Sequence, residues 1–280
     1  IGWELSLGWN DRLENGFSYW VKGVLSDYQA TITKYAGNDA GFYSQSDGDG
    51  KYYVGQKIGE IWGYHSNGLF QSDDEAATID QSELYAGKWG AGDVKYENLD
   101  GDGKITKGEE TIYNPGDKSI IGNKTPRYQF GITVGFDYKN FDFEMFWQGT
   151  GKRDYMLSGA QFWGFTSQWD VPYTPALDYW TETNTDAYFP RPGWQNGGNR
   201  VTSDRYLQSA AYGRLKNLTV GYTIPKNLTT KWGISRLRLY VTGENLLTIT
   251  PLNDAFDPET LGGLTYPINR KVAIGLNLTL

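Results

Sequence analysis

Side-chain polarity alternates with period two in seven segments of this 280-residue chain, a pattern that predicts strands with two unlike faces. The first sets Trp3, Leu5, Leu7 and Trp9 against Glu4, Ser6, Gly8 and Asn10. The second begins at Phe17, Tyr19 and Val21 and runs toward Tyr35. In the third, Tyr128, Phe130, Ile132, Val134, Phe136 and Tyr138 oppose Gln129, Gly131, Thr133, Gly135 and Asp137. The fourth opposes Phe141, Phe143, Met145 and Trp147 to Asp142, Glu144 and Gln148, and the fifth ends Leu218, Val220, Tyr222, Ile224. The sixth has Leu237, Leu239 and Val241 opposite Arg236, Arg238, Thr242 and Glu244. The last places Val272, Ile274, Leu276, Leu278 and Leu280 opposite Ala273, Gly275, Asn277 and Thr279.

The connections alternate strictly between short and long. Asp11 to Gly16, Lys139-Asn140 and roughly Pro225 to Ser235 are short, whereas about 36–127, 149–206 and 250–270 are long. Outer-membrane barrels show this alternation, with short periplasmic turns and long extracellular loops. With a periplasmic C-terminus, every short turn falls on the periplasmic side and every long loop outside. Trp3, Trp9, Tyr128, Tyr138 and Trp147 sit near strand ends, where aromatic belts meet the membrane interfaces. The expected fold is therefore all-β: about seven antiparallel strands of a large transmembrane β-barrel. Seven strands do not close such a barrel, so residues 1–280 read as its C-terminal part, with plug and early strands lying elsewhere. The opening Ile1-Gly-Trp-Glu already reads as a strand rather than a signal peptide, as in a mature chain or a fragment.

Composition agrees. There are 21 Tyr, 12 Phe, 11 Trp and 36 Gly, which suits aromatic-rich strands joined by wide loops. No apolar run approaches the roughly 20 residues of a membrane helix, and the mean hydropathy is −0.57. A formal charge of −7 argues against a nucleic-acid partner. The absence of Cys excludes disulfides and thiolate metal sites.

Candidate chemistry is confined to the loops. Asn98-Leu-Asp100-Gly-Asp102-Gly103-Lys-Ile105-Thr-Lys-Gly-Glu109 follows the calcium loop of EF-hands, with Asn in place of the first Asp. Side-chain oxygens of Asn98, Asp100 and Asp102, the carbonyl of Lys104 and a bidentate Glu109 would hold a structural Ca2+, with Ile105 anchoring the loop inward. An Asp/Gly turn without an ion is the alternative. Ser46 to Gly50 lacks a downstream acid and reads as a plain turn. Trp163, Trp169, Trp180 and Trp194 share one long loop; Trp163, Trp169 and Trp194 are candidates for stacking on substrate, while Trp169 to Trp180 could form a short inward-packing helix. His65, the single histidine, sits in a Trp/Tyr/Gly-rich loop and reads as a packed or exposed side chain rather than an acid–base catalyst.

Several blocks resemble SusC/RagA-type TonB-linked outer-membrane proteins. These are Gly55 to Tyr64 followed by Asn67 to Ser72, Gly92 to Tyr96 leading into Asp100 to Gly103, and Ile120 to Asn123 followed by Pro126 to Gly131. Trp180 to Arg191, Tyr206 to Tyr222 and Gly243 to Leu246 complete the series in family order. Ala273, Gly275, Leu278 and Leu280 resemble a terminal assembly signal, although the last residue is not aromatic. The resemblance implies uptake of oligosaccharides or peptides driven by TonB, and a SusD-like surface lipoprotein that closes over the barrel as a lid. It places the chain in the bacterial outer membrane, in contact with lipid, and makes it a non-enzyme. Two other readings stay open at this point: a secreted, calcium-stabilised carbohydrate-binding β-sandwich, and a passive porin-like channel.

Overall fold

The computed structural model describes residues 1–43, 52–86, 88–193, 195–261, 266 and 268–280. One seven-stranded sheet dominates it, in the order β1, β2, β7, β8, β11, β12, β13. These strands are β1 (Gly2–Arg12), β2 (Ser18–Tyr28), β7 (Arg127–Tyr138), β8 (Phe141–Lys152), β11 (Tyr212–Thr223), β12 (Arg236–Ile249) and β13 (Lys271–Thr279). Every neighbouring pair is antiparallel. Lengths of 9 to 14 residues suffice to cross a hydrocarbon layer when the strands tilt.

The register joins all seven apolar faces into one. Leu5 pairs with Leu25 and Trp9 with Val21, while Leu25 pairs with Phe130 and Val21 with Val134. The row continues through Val134–Met145 and Phe136–Phe143, Met145–Leu218 and Phe143–Val220, Val220–Val241 and Val241–Ile274. The opposite row carries Lys22–Thr133, Gly135–Glu144, Glu144–Thr219, Thr219–Thr242 and Arg238–Asn277. The apolar row is exposed along the wall, Ile274 by 82% and Leu7 by 64%. A sheet of this kind needs hydrocarbon on one side, because exposed apolar area costs about 25 cal/mol per Å² in water. Among the described residues the outer edges of β1 and β13 carry no strand partner. Such edges are tolerated in lipid only when further strands close the wall.

Glycines on the polar row let large side chains lie flat across the strands. A Cβ at Gly221 would stand 2.5 Å from the Asp142 carboxylate and 2.6 Å from Arg238 Nε. With none there, Arg238 of β12 reaches over β11 to donate to Asp142 of β8, Nε at 2.9 Å. Tyr240 rests on Gly275 in the same way.

The wall has no buried core; the long loops do. The first loop contains β3 (Glu60–Tyr64), β4 (Ser66–Leu69), β5 (Val94–Tyr96) and β6 (Lys118–Asn123), and the second contains β9 (Asp154–Met156) and β10 (Leu207–Ser209). β3 pairs with β6, β4 with β5 and β9 with β10. A buried cluster includes Tyr64, Val94, Tyr96, Ile105, Leu157, Phe162, Tyr206, Leu252 and Leu261, so all three long loops contribute. The loops thus form one packed cap at one end of the wall.

Three boundaries differ from expectation. The second strand stops at Tyr28 rather than Tyr35, because the next backbone groups pair inside the cap: Ile58 N–H donates to Ala30 O, and Ile32 N–H to Gln56 O. β8 continues through Gly149 to Lys152, since glycines hide the alternation there and Gly149 seats the Phe130 ring. The helix expected between Trp169 and Trp180 is a single 3-10 turn, Thr174–Leu177. Pro172 and Pro175 remove N–H donors that a longer helix needs. Within that stretch Ala176 and Trp180 pack inward, while Trp169 and Leu177 face outward.

Candidate functional site

The cap is stitched by polar groups from separate loops. Asp93 is fully buried. Its Oδ2 accepts from Gly90 N–H at 2.9 Å and Arg191 Nη2 at 3.0 Å, and its Oδ1 from Asn199 Nδ2 at 2.9 Å and Asn196 Nδ2 at 3.2 Å. Asn199 Oδ1 in turn accepts from Val94 N–H and Tyr85 Oη–H, both at 2.8 Å. Gly92, at φ +82°, leaves the room that Trp180 fills; a Cβ there would lie 2.4 Å from the indole. The blocks around Gly92-Asp93, Trp180 and Arg191 are therefore one structural joint. Ser72 caps the short helix α1 (Asp73–Ala76) by accepting from Glu75 N–H at 3.1 Å, and Glu75 also pairs with Lys95 at 2.8 Å.

His65 links three segments. Its Nδ1 lies 2.7 Å from Asp204 Oδ2 and its Nε2 2.7 Å from Ser119 Oγ. Asp204 Oδ1 also accepts from Ser66 N–H at 2.9 Å. The order Ser, His, Asp is that of an acid–base relay. Here the side chains of His65 and Asp204 are 34% and 39% exposed, and they tie the first loop to the second.

The third loop is clasped to the wall by Arg214, a buried guanidinium on the polar row of β11. It donates Nε to Thr248 Oγ1 at 2.8 Å and Nη2 to Asp257 Oδ2 at 2.6 Å, and Nη1 lies 3.0 Å from Glu259. Lys216 joins Glu259 at 3.1 Å.

Two adjoining cavities open in the cap, one wholly within it and one at its junction with the wall. One, of about 430 Å³, is lined by Tyr43, Glu60, Trp62, Lys118, Lys124 and Tyr155 among others. The second, of about 340 Å³, is lined by Lys57, Glu60, Arg127, Lys152 and Asp154 among others. Tyr43 and Trp62 stack at 4.1 Å and 10°. Burial pushes the Tyr43 hydroxyl up to about 12, so it stays neutral and donates to Pro115 O. Glu60, buried, is held by Tyr53 Oη–H and by Lys57 N–H at 2.9 Å.

The residues singled out in sequence are distributed unevenly over this cap. In the calcium-like loop, Asn98, Asp100 and Asp102 accept from the backbone N–H groups of Gly101, Asp102 and Lys104 at 2.7 to 3.1 Å. Ile105 is buried as expected, and its N–H donates to Asp80 O at 2.7 Å. Glu109 is exposed. Among the described residues no group of three or more His, Asp or Glu is placed to hold a metal ion. Asp117, which the sequence pattern does not mark, accepts from Leu99 and Thr106 N–H at 2.7 Å and closes the loop. Burial, then repulsion from Asp100 and Asp102, raises its carboxyl above the usual range against the pull of those two bonds.

Trp163 is only 9% exposed and packs edge-on against Tyr206 at 4.6 Å in the cap core, while also lining a small pocket with Phe165, Phe189 and Arg191. Trp169 is 83% exposed on the second loop. Trp194 and the Ser46 to Gly50 turn lie outside the described residues. Sequence reasoning missed Arg214, Asp93, Asp117 and the cavity lysines. The Gly-Asp and Pro-Arg blocks were a signal for Asp93 and Arg191, and the blocks Tyr206 to Tyr222 and Gly55 to Tyr64 contain Arg214 and Lys57; nothing local marks Asp117 or the other cavity lysines.

A lipid-facing apolar row, a polar inner row and a folded cap at one end define a segment of an outer-membrane β-barrel. The comparisons take this further. No family model matches the chain. TonB-dependent receptor P3 of Formosa agariphila is 33% identical over 245 residues, covering 80% of this chain and 22% of that protein. TonB-dependent receptor SusC of Bacteroides thetaiotaomicron is 24% identical over 288 residues, covering 99% of this chain and 26% of that protein. A structure of the RagAB peptide importer in an open-open state superposes with a TM-score of 0.71 at 19% identity, over all of this chain and 28% of that one. This chain is part of a SusC/RagA-type TonB-dependent receptor barrel. It spans less than a third of the length of the relatives it matches.

Proposed function

We propose that this chain forms part of an outer-membrane importer that takes up oligosaccharides or peptides, energised through TonB and covered by a SusD-like surface lipoprotein. The plug and remaining strands belong to the rest of that receptor. The long loops face outward and the short turns and C-terminus face the periplasm. One observation carries the reading: a single packed cap sits on one end of a wall that is apolar outside and polar inside. A water-soluble sandwich would bury the apolar rows against each other, and here Leu7, Ile274 and Leu276 are exposed. The relatives are TonB-dependent receptors, which favours active import over a passive pore and over an enzyme.

The test uses the full-length receptor in its own cells. Uptake of fluorescent oligosaccharides and peptides should fall to background when either the receptor or TonB is removed, and the receptor should co-purify with a surface lipoprotein. Uptake that persists without TonB sinks the active-import reading.

Calcium in the 98–109 loop is a second, separate proposal. Its support is the spacing of Asn98, Asp100, Asp102, Lys104 and Glu109, together with the mutual repulsion of Asp100, Asp102 and Asp117 that a divalent cation would relieve. In the folded loop Glu109 does not join the others, so any bound ion would have to recruit it or use Asp117 instead. Protease cleavage across residues 95–112 should slow with calcium; equal rates with calcium and with chelator reject it.

A further inference from the structure

The groove that runs from the wall into the cap carries a charge opposite to that of the whole chain. The protein has a formal charge of −7. Yet the two cavities together present Lys57, Lys118, Lys124, Arg127 and Lys152 against Glu60, Glu110 and Asp154. Each carboxylate has hydrogen-bond partners, but only Glu110 is paired with a cation; Glu60 and Asp154 keep their negative charge, so the cations outnumber the carboxylates five to three. Glu60 takes Tyr53 and Lys57 N–H, Glu110 takes Lys118 at 2.8 Å, and Asp154 accepts from Asn123 N–H at 2.9 Å. Arg127 is paired too, with Asp27. Lys57, Lys124 and Lys152 are exposed, and among the described residues none has a carboxylate within salt-bridge distance.

The cavities share Glu60, so they adjoin. The 340 Å³ cavity reaches the wall at Arg127 and Lys152, which pair with each other at the outer end of the polar row. The 430 Å³ cavity reaches into the cap between β3, β6 and β9, where the Tyr43–Trp62 stack and Tyr155 supply flat apolar surface. From the wall to the seam between two loops the lining thus carries five cationic side chains against three carboxylates, with Lys57, Lys124 and Lys152 outside any ion pair among the described residues, and aromatic rings beside them. Such groups attract negative charge over about a Debye length and favour flexible, multiply charged chains over neutral ones.

We propose that this groove binds an anionic oligomer, one whose repeating units carry carboxylates, with Lys57, Lys124 and Lys152 as the charge-reading residues. The assignment rests on the importer reading and narrows its substrate class. Carboxylates of this kind come from acidic peptides or from uronate-containing oligosaccharides; the chemistry is shared, and the ligand series separates the sources.

The experiment measures binding to the purified full-length receptor by calorimetry with four probes of matched length: poly-glutamate, a neutral peptide, an oligouronate and a neutral oligosaccharide. Acidic probes should bind more tightly than neutral partners of the same backbone, with affinity falling as salt rises. The triple variant Lys57→Gln, Lys124→Gln, Lys152→Gln should bind the acidic probe about tenfold more weakly and lose most of the salt dependence. Heat-modified electrophoretic mobility checks that the variant barrel is folded. Poly-glutamate alone showing the effect identifies the peptide source, and the oligouronate alone the glycan source. Acidic and neutral probes binding alike, acidic probes failing to bind, or a folded triple variant that behaves as wild type would each overturn the groove assignment. TonB-dependent uptake persisting through those outcomes leaves the importer reading standing, so the two fail separately.

Discussion

Replacing Asp93 by Ala removes an acceptor around which two loops are organised. Four donors lose it: Gly90 N–H, Arg191, Asn196 and Asn199. Arg191 is 44% exposed and turns to solvent at little expense. The bonds to Gly90 N–H and the Asn199 amide are buried. A buried donor left without a partner costs about 1–3 kcal/mol. Water entering the vacated space would recover part of that for two such donors, so opening of the joint should become easier by about 3 kcal/mol. That is roughly a hundredfold. The assay is hydrogen exchange with mass spectrometry on the intact receptor. Peptides covering residues 90–96 and 189–200 should exchange about a hundredfold faster, because Val94 N–H is bonded to Asn199 and Arg191 N–H to Gly92 O. Peptides from β7 and β8 should be unchanged, since the wall holds its own ladder. An increase below about threefold over 90–96 would show that Asp93 is not the joint. Asp93→Asn keeps the shape but turns one acceptor into a donor, and should fall between wild type and Asp93→Ala.

Other perturbations follow from the same geometry. Gly221→Ala puts a methyl where Asp142 and Arg238 meet, and should lower barrel stability in urea by about 1–3 kcal/mol, read by tryptophan fluorescence; an unchanged midpoint would mean the pair moves aside freely. Arg214→Met strands Asp257 and leaves Glu259 only Lys216, so protease should cut within 253–261 while the wall stays intact, and wild-type resistance there would refute the clasp. Because the folded Asp117 carboxyl is raised above its unfolded value, the folded loop holds its proton more tightly, and the loop should grow more stable as pH falls from 7 toward 4. Proteolysis of residues 98–117 measured across that range should show the trend, and Asp117→Asn should abolish it. Ser119 acts as a hydrogen-bond partner of His65 in a clasp, so a fluorophosphonate probe should leave it unlabelled; covalent labelling would overturn that reading.

Period-two alternation decided the wall from the sequence alone. Strand neighbours along a meander share a face pattern, and a one-residue slip would have turned Val134 or Ile274 into the polar row. Short turns such as Lys139-Asn140 then fixed which strands pair. The end of β2 and the extension of β8 were not legible, because Gln29 to Thr33 keeps alternating after its backbone has joined the cap, and Gly149 breaks the pattern inside a strand. The cap itself belonged to the tertiary structure. Its core draws Tyr64, Phe162, Tyr206 and Leu252 from three loops with no local period, and its polar joints link residues about a hundred positions apart, as Asp93 and Asn199 do. The same long-range folding hid Trp163 in the core, set Asp117 beneath the 98–109 loop and gathered Lys57, Lys124 and Lys152 along one groove. Local sequence specifies which face of a strand meets lipid because that choice repeats every two residues; which distant loop residues meet depends on how the whole chain returns to one place.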